Sequence, residues 1–216
     1  MKLKVRGVIF DLDGTLTPVR SVWQHIHEAL GTWVTHGSVS LEAFLAGKIS
    51  YQEFARRDVT AWSGVPKERI EKIVAEIPYR SGVRETVAAL KQKGVKLALL
   101  SSGLDILATR VAEELGFNLC IANRLGFTDE RINGQVQIRV PWDGKPMYLN
   151  TICGLFGTTP AETAAIGDSH GDVPLFERVG LGIAVNAEPE VSACAHVSLQ
   201  CEDLRALLPV LLPYLP

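Results

Sequence analysis

The sequence lacks the features typical of membrane, disulfide-rich and nucleic-acid-binding proteins. None of its apolar runs approaches the length of a transmembrane helix, and the few residues before Asp11 are too short for a signal peptide with its cleavage site. Its four cysteines contain no C-x-x-C pair, which favours reduced thiols over a disulfide framework or a zinc site. The net charge is only −2 and there is no long basic run, so no nucleic acid or membrane partner is expected.

The remaining composition is that of an ordinary globular chain. Its 216 residues are 47% hydrophobic and 21% charged, enough for one sizeable core or for a core with a small accessory domain. We therefore expect a cytoplasmic protein that is a monomer or a homodimer.

An apolar run near the start of the chain ends in two carboxylates. Val8-Ile9-Phe10 fits a strand buried on both faces of a parallel sheet, and Asp11 and Asp13 follow it directly. Buried like charges need a partner or a cation, and Mg²⁺ prefers oxygen ligands. The alternative is an Asp-x-Asp-Gly turn at the rim of the sheet that is solvated and inert.

The next sixty residues show helical patterns and no clear strand. We predict an inserted helical cap domain over 17–78. Its helix signals are Ser21 and Gly31 at the ends of a first helix, Ser40 opening a second, the capping box Ser50-Tyr51-Gln52-Glu53 opening a third, and Pro66 at the first position of a fourth.

The rest of the chain alternates between helix and strand patterns. Strands are predicted at 95–100, 119–122, 163–168 and 181–185, with helices between them, and Asn133-Gly134 predicts the turn of a β-hairpin flap. Repeated βα units imply a parallel sheet with helices on both faces. The predicted fold is therefore α/β, with a Rossmann-like core domain made of 1–16 and 79–216.

Chemically active side chains follow several of these strands. Ligands bind at the carboxyl ends of strands in open α/β sheets, and the groups expected there are Asp11, Asp13, Ser101, Lys145, Asp168 and Asp172. Four acids, a hydroxyl and an amine suit phosphoryl transfer. A carboxylate can attack phosphorus, a second carboxylate can move a proton, and cationic groups can neutralise the phosphate oxygens.

The motif set resembles the haloacid dehalogenase superfamily of phosphatases. The resemblance covers the whole chain and rests on Asp11-Leu12-Asp13-Gly14-Thr15, a hydroxyl at the end of the next strand, a lysine, and Gly167-Asp168 followed by Asp172. It implies that Asp11 is the nucleophile and Asp13 the general acid and base. It further implies that Ser101 and Lys145 stabilise the phosphate and the intermediate.

The resemblance also implies a Mg²⁺ cofactor. Its ligands would be Asp11, the main-chain carbonyl of Asp13, and Asp168, while Asp172 would support the metal site or Lys145.

The helical segment directly after the first motif, Gly47-Lys48-Ile49-Ser50-Tyr51, and Ala122-Asn123-Arg124-Leu125 with the following hairpin resemble the phosphoserine phosphatase-like group of the superfamily, but two charges differ. Where that group has an acid that contacts the substrate amine, this chain has Arg20. Where that group has an arginine that binds the substrate carboxylate, this chain has Asp58. These two residues could instead pair with each other. We expect Ser102 and Gly103 to line the substrate site together with Arg20 and Asp58.

The function predicted from the sequence is a Mg²⁺-dependent phosphomonoester hydrolase that acts on a small phosphorylated metabolite through an aspartyl-phosphate. Three alternatives stay open: a phosphoserine phosphatase proper, a phosphotransferase or mutase, and a non-catalytic phospholigand-binding protein. The tryptophans of the cap, and Trp142 beyond the hairpin, either fill the core or face the substrate.

Overall fold

The chain folds around one seven-stranded sheet. The computed structural model describes residues 4–216, and the strand order across the sheet is β4-β3-β2-β1-β5-β6-β7. All neighbouring strands are parallel except β3 and β4, which form an antiparallel hairpin. The strands are β1 Gly7–Phe10, β2 Lys96–Leu104, β3 Leu119–Thr128, β4 Arg131–Gln137, β5 Thr163–Gly167, β6 Leu181–Val185 and β7 Val197–Leu199. The predicted α/β class with a Rossmann-like core is confirmed.

Ten α-helices occur in the described part of the chain. They are α1 Val22–Leu30, α2 Ser38–Leu45, α3 Tyr51–Ala61, α4 Lys67–Ala75, α5 Val83–Gln92, α6 Asp105–Leu115, α7 Leu149–Phe156, α8 Val173–Phe176, α9 Pro189–Ser192 and α10 Leu207–Leu211. Among the helices within residues 4–216, none combines the length and apolar character that crossing a membrane requires. The four cysteines are free thiols.

Strand β1 lies in the middle of the sheet and is buried on both faces. Val8 and Phe10 pack into one apolar cluster, while Ile9 points into a second cluster on the opposite face. Because β1 pairs with β2 on one side and β5 on the other, the carboxyl ends of these three strands lie side by side. This arrangement brings the residues that follow them to one edge.

Four helices, α1 to α4, occupy the chain between β1 and α5. The Ser21 hydroxyl caps α1 by accepting from Gln24 N, and Gly31 ends it with a φ of 71°. The two ends of this helical segment lie close together, because Arg80 N donates to Leu16 O at 3.0 Å and the Arg80 guanidinium donates to Gly14 O.

Only half of the predicted capping box at the start of α3 is present. Ser50 Oγ accepts from Glu53 N at 3.2 Å, but the Glu53 carboxylate pairs with Arg56 and Arg57 instead of returning to the Ser50 backbone.

The β-hairpin exists, but its turn is not at Asn133-Gly134 as predicted. Thr128 pairs with Arg131, so the turn is Asp129-Glu130, and both of these residues have positive φ. Asn133-Gly134 instead forms a bulge inside β4, where Asn133 Oδ1 accepts from Gln135 N. The hairpin register is also fixed from outside, because Ile132 N donates to Val65 O and Gly64 N donates to Ile132 O.

Other element boundaries differ from the sequence prediction. Strand β2 continues through Ser101 to Leu104, and β3 runs without a break into the hairpin. Helix α2 begins at Ser38, after a short stretch of π-helix at Trp33–Gly37. Helix α4 begins at Lys67, so Pro66 stands at the N-cap position instead of the first helical position. The short elements α9 and β7 were not predicted, because each has too few residues to show a period.

Candidate active site

Asp11 begins the site at the end of β1. Its backbone N–H still donates to Ile166 O of β5 at 2.8 Å, so the strand pairing holds its position. The chain then turns tightly, and Leu12 O accepts from the backbone N–H groups of Thr15, Leu16 and Thr17. Asp11 is therefore a buried carboxylate on a rigid turn.

Gly14 lets this turn approach the acidic loop that follows β5. Its φ is 78°, and a Cβ atom placed on it would lie 2.0 Å from Asp168 Oδ2. The neighbouring Thr15 hydroxyl donates to Asp168 Oδ1 at 3.1 Å. No role was predicted for Thr15, although it belongs to the motif that starts at Asp11.

Lys145 lies between two carboxylates. Its Nζ is 2.7 Å from Asp11 Oδ1 and 2.5 Å from Asp172 Oδ1, and its side chain is only 2% exposed. Burial lowers the pKa of Lys145, but the charges of Asp11 and Asp172 outweigh burial, and the pKa lies above its ordinary value. Lys145 is thus a fixed ammonium beside the candidate nucleophile.

Asp172 organises the loop that carries Asp168. Its Oδ2 accepts from Asp168 N at 3.2 Å, and from both the N–H and the hydroxyl of Ser169 at 3.0 Å. With Oδ1 on Lys145, this one carboxylate connects the loop to the ammonium group.

Three buried carboxylates share this end of the sheet. One oxygen each from Asp11, Asp168 and Asp172 lies within 4.8 Å of the others. Burial and the charge of Asp172 raise the pKa of Asp168 to about 7, and the same two causes raise the pKa of Asp11, which Lys145 lowers only in part. One ammonium leaves this set short of positive charge, so a divalent cation that binds oxygen fits these residues.

Asp13 lies beside this cluster but outside it. Its Oδ2 accepts from Val22 N at the start of α1 at 3.0 Å, whereas its Oδ1 is buried without a hydrogen-bond partner. Burial raises the pKa of Asp13 to about 6. A carboxyl with a free oxygen and a pKa near neutrality can both donate and accept a proton.

The end of β2 contributes a hydroxyl and a close backbone approach. Ser101 is buried, and its Oγ accepts from Gly103 N at 2.9 Å, so its own hydrogen can be donated elsewhere. A Cβ atom on Gly103 would lie 2.8 Å from Asp13 Oδ2, which explains why glycine stands there.

The carbonyl of Ser102 holds the helical segment against the sheet. It accepts from Tyr51 Oη at 2.5 Å, from Asn123 Nδ2 at 2.7 Å and from Trp23 Nε1 at 3.4 Å. Asn123 is fully buried and also binds the backbone of Arg139 and Val140. No role was predicted for Asn123, although it lies in the stretch Ala122-Asn123-Arg124-Leu125 that resembles the phosphoserine phosphatase-like group.

The site geometry agrees with the comparison of the chain with protein families. The model of the haloacid dehalogenase-like hydrolase family matches residues 8–177, which contain every candidate residue described above. The chain belongs to this family.

Several curated relatives are similar over nearly the whole chain. A phosphoserine phosphatase of Methanocaldococcus jannaschii is 31% identical over 209 residues, which cover 96% of this chain and 98% of that protein. A phosphoserine phosphatase of Albidiferax ferrireducens is 32% identical, with 95% and 89% coverage.

A solved structure shares the same fold. A substrate-bound phosphoserine phosphatase complex has a TM-score of 0.85 at 28% identity, and the match covers 99% of both chains.

The two positions whose charges differ from those of the phosphoserine phosphatase-like group, Arg20 and Asp58, do not pair with each other. The guanidinium of Arg20 donates to Glu188 Oε1 and to Asn186 O at 3.4 Å, and its side chain is 60% exposed. Asp58 is 1% exposed and faces His27 inside the helical segment. Arg20 precedes α1 at the surface, whereas Asp58 lies on the inward face of α3, so the suggested ion pair is absent.

Two tryptophans of the helical segment fill the core. Trp62 and Trp23 are buried in the main apolar cluster, and their rings stack 5.8 Å apart. Trp23 also reaches Ser102, as described above. Trp142 is 37% exposed, and its ring lies 6.1 Å from that of Phe44.

Proposed function

We propose that this chain is a Mg²⁺-dependent phosphatase that hydrolyses the phosphomonoester of a small metabolite through an aspartyl-phosphate on Asp11. The observation that carries the proposal is the ammonium of Lys145 held between Asp11 and Asp172, with the unpartnered Oδ1 of Asp13 beside them. A binding protein needs neither a nucleophile nor a proton carrier.

In the first half of the reaction, a carboxylate oxygen of Asp11 forms a bond to phosphorus while the bond to the leaving alkoxide oxygen breaks. Asp13 gives its proton to that oxygen, and the alcohol departs. In the second half, Asp13 takes a proton from water, whose oxygen attacks phosphorus and releases Asp11 and inorganic phosphate. Lys145 and the Ser101 hydroxyl hold the phosphate oxygens through both halves.

The Mg²⁺ ion would be held by Asp11, Asp168 and the main-chain carbonyl of Asp13, with Asp172 in support. When bound, it supplies positive charge that stabilises the negative oxygens of the phosphoryl group. The acidic cluster supports this assignment, because all of its donors are oxygens, as Mg²⁺ prefers.

We further propose that 17–78 form a cap domain over a core of 1–16 and 79–216. The bonds from Arg80 to Gly14 and Leu16 support these boundaries, since they bring the two ends of the segment together. The cap would exclude bulk water from the reacting phosphate. The oligomeric state and the cytoplasmic location stay predictions.

A narrower candidate is phosphoserine phosphatase itself. It is favoured by the names of the relatives described above, at 31% and 32% identity. The surface position of Arg20 and the burial of Asp58 speak against a copy of the substrate contacts on which that specificity depends in the phosphoserine phosphatase-like group.

The test is phosphate release from a panel of small phosphomonoesters with Mg²⁺, with Asp11→Asn as the blank. We expect the wild type to release phosphate and Asp11→Asn to lose about a thousandfold or more in kcat, because an amide is a poor nucleophile. Phosphate release retained by Asp11→Asn would refute the nucleophile. Transfer of the phosphoryl group to an added alcohol rather than to water would favour a phosphotransferase, and no turnover of any ester would favour a binding protein.

A further inference from the structure

One backbone carbonyl at the end of β2 accepts hydrogen bonds from both the core and the proposed cap. Ser102 O accepts from Tyr51 Oη at 2.5 Å and from Asn123 Nδ2 at 2.7 Å, while Trp23 Nε1 lies at the longer distance of 3.4 Å. Asn123 belongs to β3 of the core, whereas Tyr51 and Trp23 belong to α3 and α1. The two lone pairs of this carbonyl oxygen are therefore shared between the core and the cap.

The hydroxyl of Tyr51 is the donor in its bond to Ser102. A carbonyl oxygen can only accept, and the side-chain nitrogen of Asn123, 3.3 Å from Tyr51 Oη, can only donate. Burial, and then the charge of Asp13, raise the pKa of Tyr51, so the hydroxyl keeps its proton at neutral pH. Because Tyr51 is the first residue of α3, this bond joins the start of that helix to the end of β2.

The orientation of the Asn123 side chain is fixed by bonds within the core. Its Oδ1 accepts from the backbone N–H groups of Arg139 and Val140, both at 2.8 Å. The amide nitrogen is therefore the end that faces Ser102. Asn123 supplies a donor to Ser102 O from the core itself, and Tyr51 supplies the donor that depends on the position of the cap.

The Ser102 carbonyl shares a peptide plane with the N–H of Gly103. A trans peptide is planar, and its C=O and N–H point in opposite directions, so donors that fix one of them also fix the other. Gly103 N donates to Ser101 Oγ at 2.9 Å. A donor on Ser102 O therefore determines how the Ser101 hydroxyl is held on the other side of the peptide.

This peptide lies beside the reactive groups of the candidate active site. A Cβ atom on Gly103 would lie 2.8 Å from Asp13 Oδ2 and 3.1 Å from Ser101 Oγ. Ser101 is buried, and because its oxygen accepts from Gly103, its hydrogen is left to be donated to a phosphate oxygen. The direction of that donation follows from the orientation of the peptide.

We propose that Tyr51 is a positioning residue of the phosphatase reaction, whose hydroxyl fixes the peptide between Ser102 and Gly103 and thereby aims the Ser101 hydroxyl at the phosphoryl group. The inference rests on the proposed phosphatase function and deepens it. The relay consists of Tyr51 Oη, Ser102 O, Gly103 N and Ser101 Oγ. Because Tyr51 belongs to the cap and Ser101 to the core, the phosphate-binding hydroxyl is fully oriented only while the cap is in contact with the core.

The test is a double-mutant cycle of Tyr51→Phe with Ser101→Ala. Tyr51→Phe removes only the hydroxyl and keeps the ring that packs 5.6 Å from Phe44 and 5.8 Å from Phe54. We expect it to lower kcat/KM for phosphomonoesters about fivefold, the factor that corresponds to one net hydrogen bond. In the Ser101→Ala background the same change should lower kcat/KM by less than about twofold, because the group that Tyr51 orients is already absent.

The dissociation constant of inorganic phosphate gives a second readout that does not depend on turnover. Measured by calorimetry with Mg²⁺ present, it should rise about fivefold in Tyr51→Phe and change by less than about twofold when Tyr51→Phe is added to Ser101→Ala. The matched control is Tyr79→Phe, which also removes a hydroxyl that makes a hydrogen bond, here to Glu114 at 2.8 Å and away from Ser102. The control should leave kcat/KM and phosphate binding unchanged in both backgrounds.

The outcomes separate the relay from the phosphatase function. Equal factors for Tyr51→Phe in the wild-type and Ser101→Ala backgrounds overturn the relay, since a merely structural role is independent of Ser101. A change of less than about twofold in the wild-type background overturns it as well. If the wild type hydrolyses no phosphomonoester but binds phosphate, the phosphatase function fails and the dissociation constants still decide the relay. A wild type that neither hydrolyses esters nor binds phosphate overturns both.

Discussion

The replacement of Lys145 by methionine gives the sharpest test of the site's electrostatics. Methionine is close to the lysine stem in volume, so the buried packing is kept while the ammonium is lost. The change leaves Asp11, Asp168 and Asp172 within 4.8 Å of one another without a cation. Removing one partner from a buried charge pair costs about 3–5 kcal/mol, and we expect this loss for metal-free protein at pH 8.

The loss should shrink in acid. The pKa values of Asp11 and Asp168 are raised in the folded protein, so the folded state binds these protons more tightly than the unfolded chain does. Such groups lower stability as pH rises towards their folded pKa, which is about 7 for Asp168. Without Lys145 this penalty grows at high pH, while at pH 5 protonation should reduce the loss to below about 2 kcal/mol.

The assay is urea unfolding of chelator-treated protein at pH 5 and pH 8. Lys93→Met serves as the control, because Lys93 is exposed at the end of α5 and its loss should change stability by less than about 0.5 kcal/mol. Excess Mg²⁺ should recover part of the loss in Lys145→Met by restoring positive charge to the cluster. A loss under about 1 kcal/mol at pH 8, or one that does not depend on pH, would refute the reasoning.

Two further predictions concern the other unusual carboxyls. Asp13→Asn should still allow Asp11 to be phosphorylated by an aryl phosphate, because an aryl oxide leaves without a general acid. The phosphorylated protein should then persist and be seen by intact-protein mass spectrometry. Rapid phosphate release by this variant would contradict the role of Asp13 as the base. Because burial raises the pKa of Asp58 in the folded state, stability falls as pH rises from the ordinary aspartate pKa through the folded one, and Asp58→Asn should lack this fall. We expect Asp58→Asn to be more stable than the wild type by about 1 kcal/mol at pH 8 and equal to it near pH 4 in urea unfolding; a less stable variant at pH 8 would mean that the ionised Asp58 has a stabilising partner.

Local sequence patterns predicted most elements correctly where apolar spacing and caps agree. Helix α6 ends at Leu115, directly before Gly116, and β6 has the predicted bounds. The predicted position of the hairpin turn was wrong, although Asn133-Gly134 is a strong local turn signal. Backbone hydrogen bonds of Ile132 with Gly64 and Val65 fix a register in which the turn is at Asp129-Glu130. Tertiary contacts outweighed turn propensity there.

The sequence by itself determined which reactive side chains meet at one edge of the sheet. Asp11, Ser101 and Asp168 stand at or directly after the ends of apolar strands, and a parallel sheet necessarily brings the carboxyl ends of its strands to one edge. Only the tertiary structure decided what the charges at 20 and 58 do. Arg20 pairs with Glu188, and Asp58 lies beside His27, whose ring packs against Trp62. Those partners lie tens of residues away in the chain, and the free energy of a charge depends on which groups surround it in space.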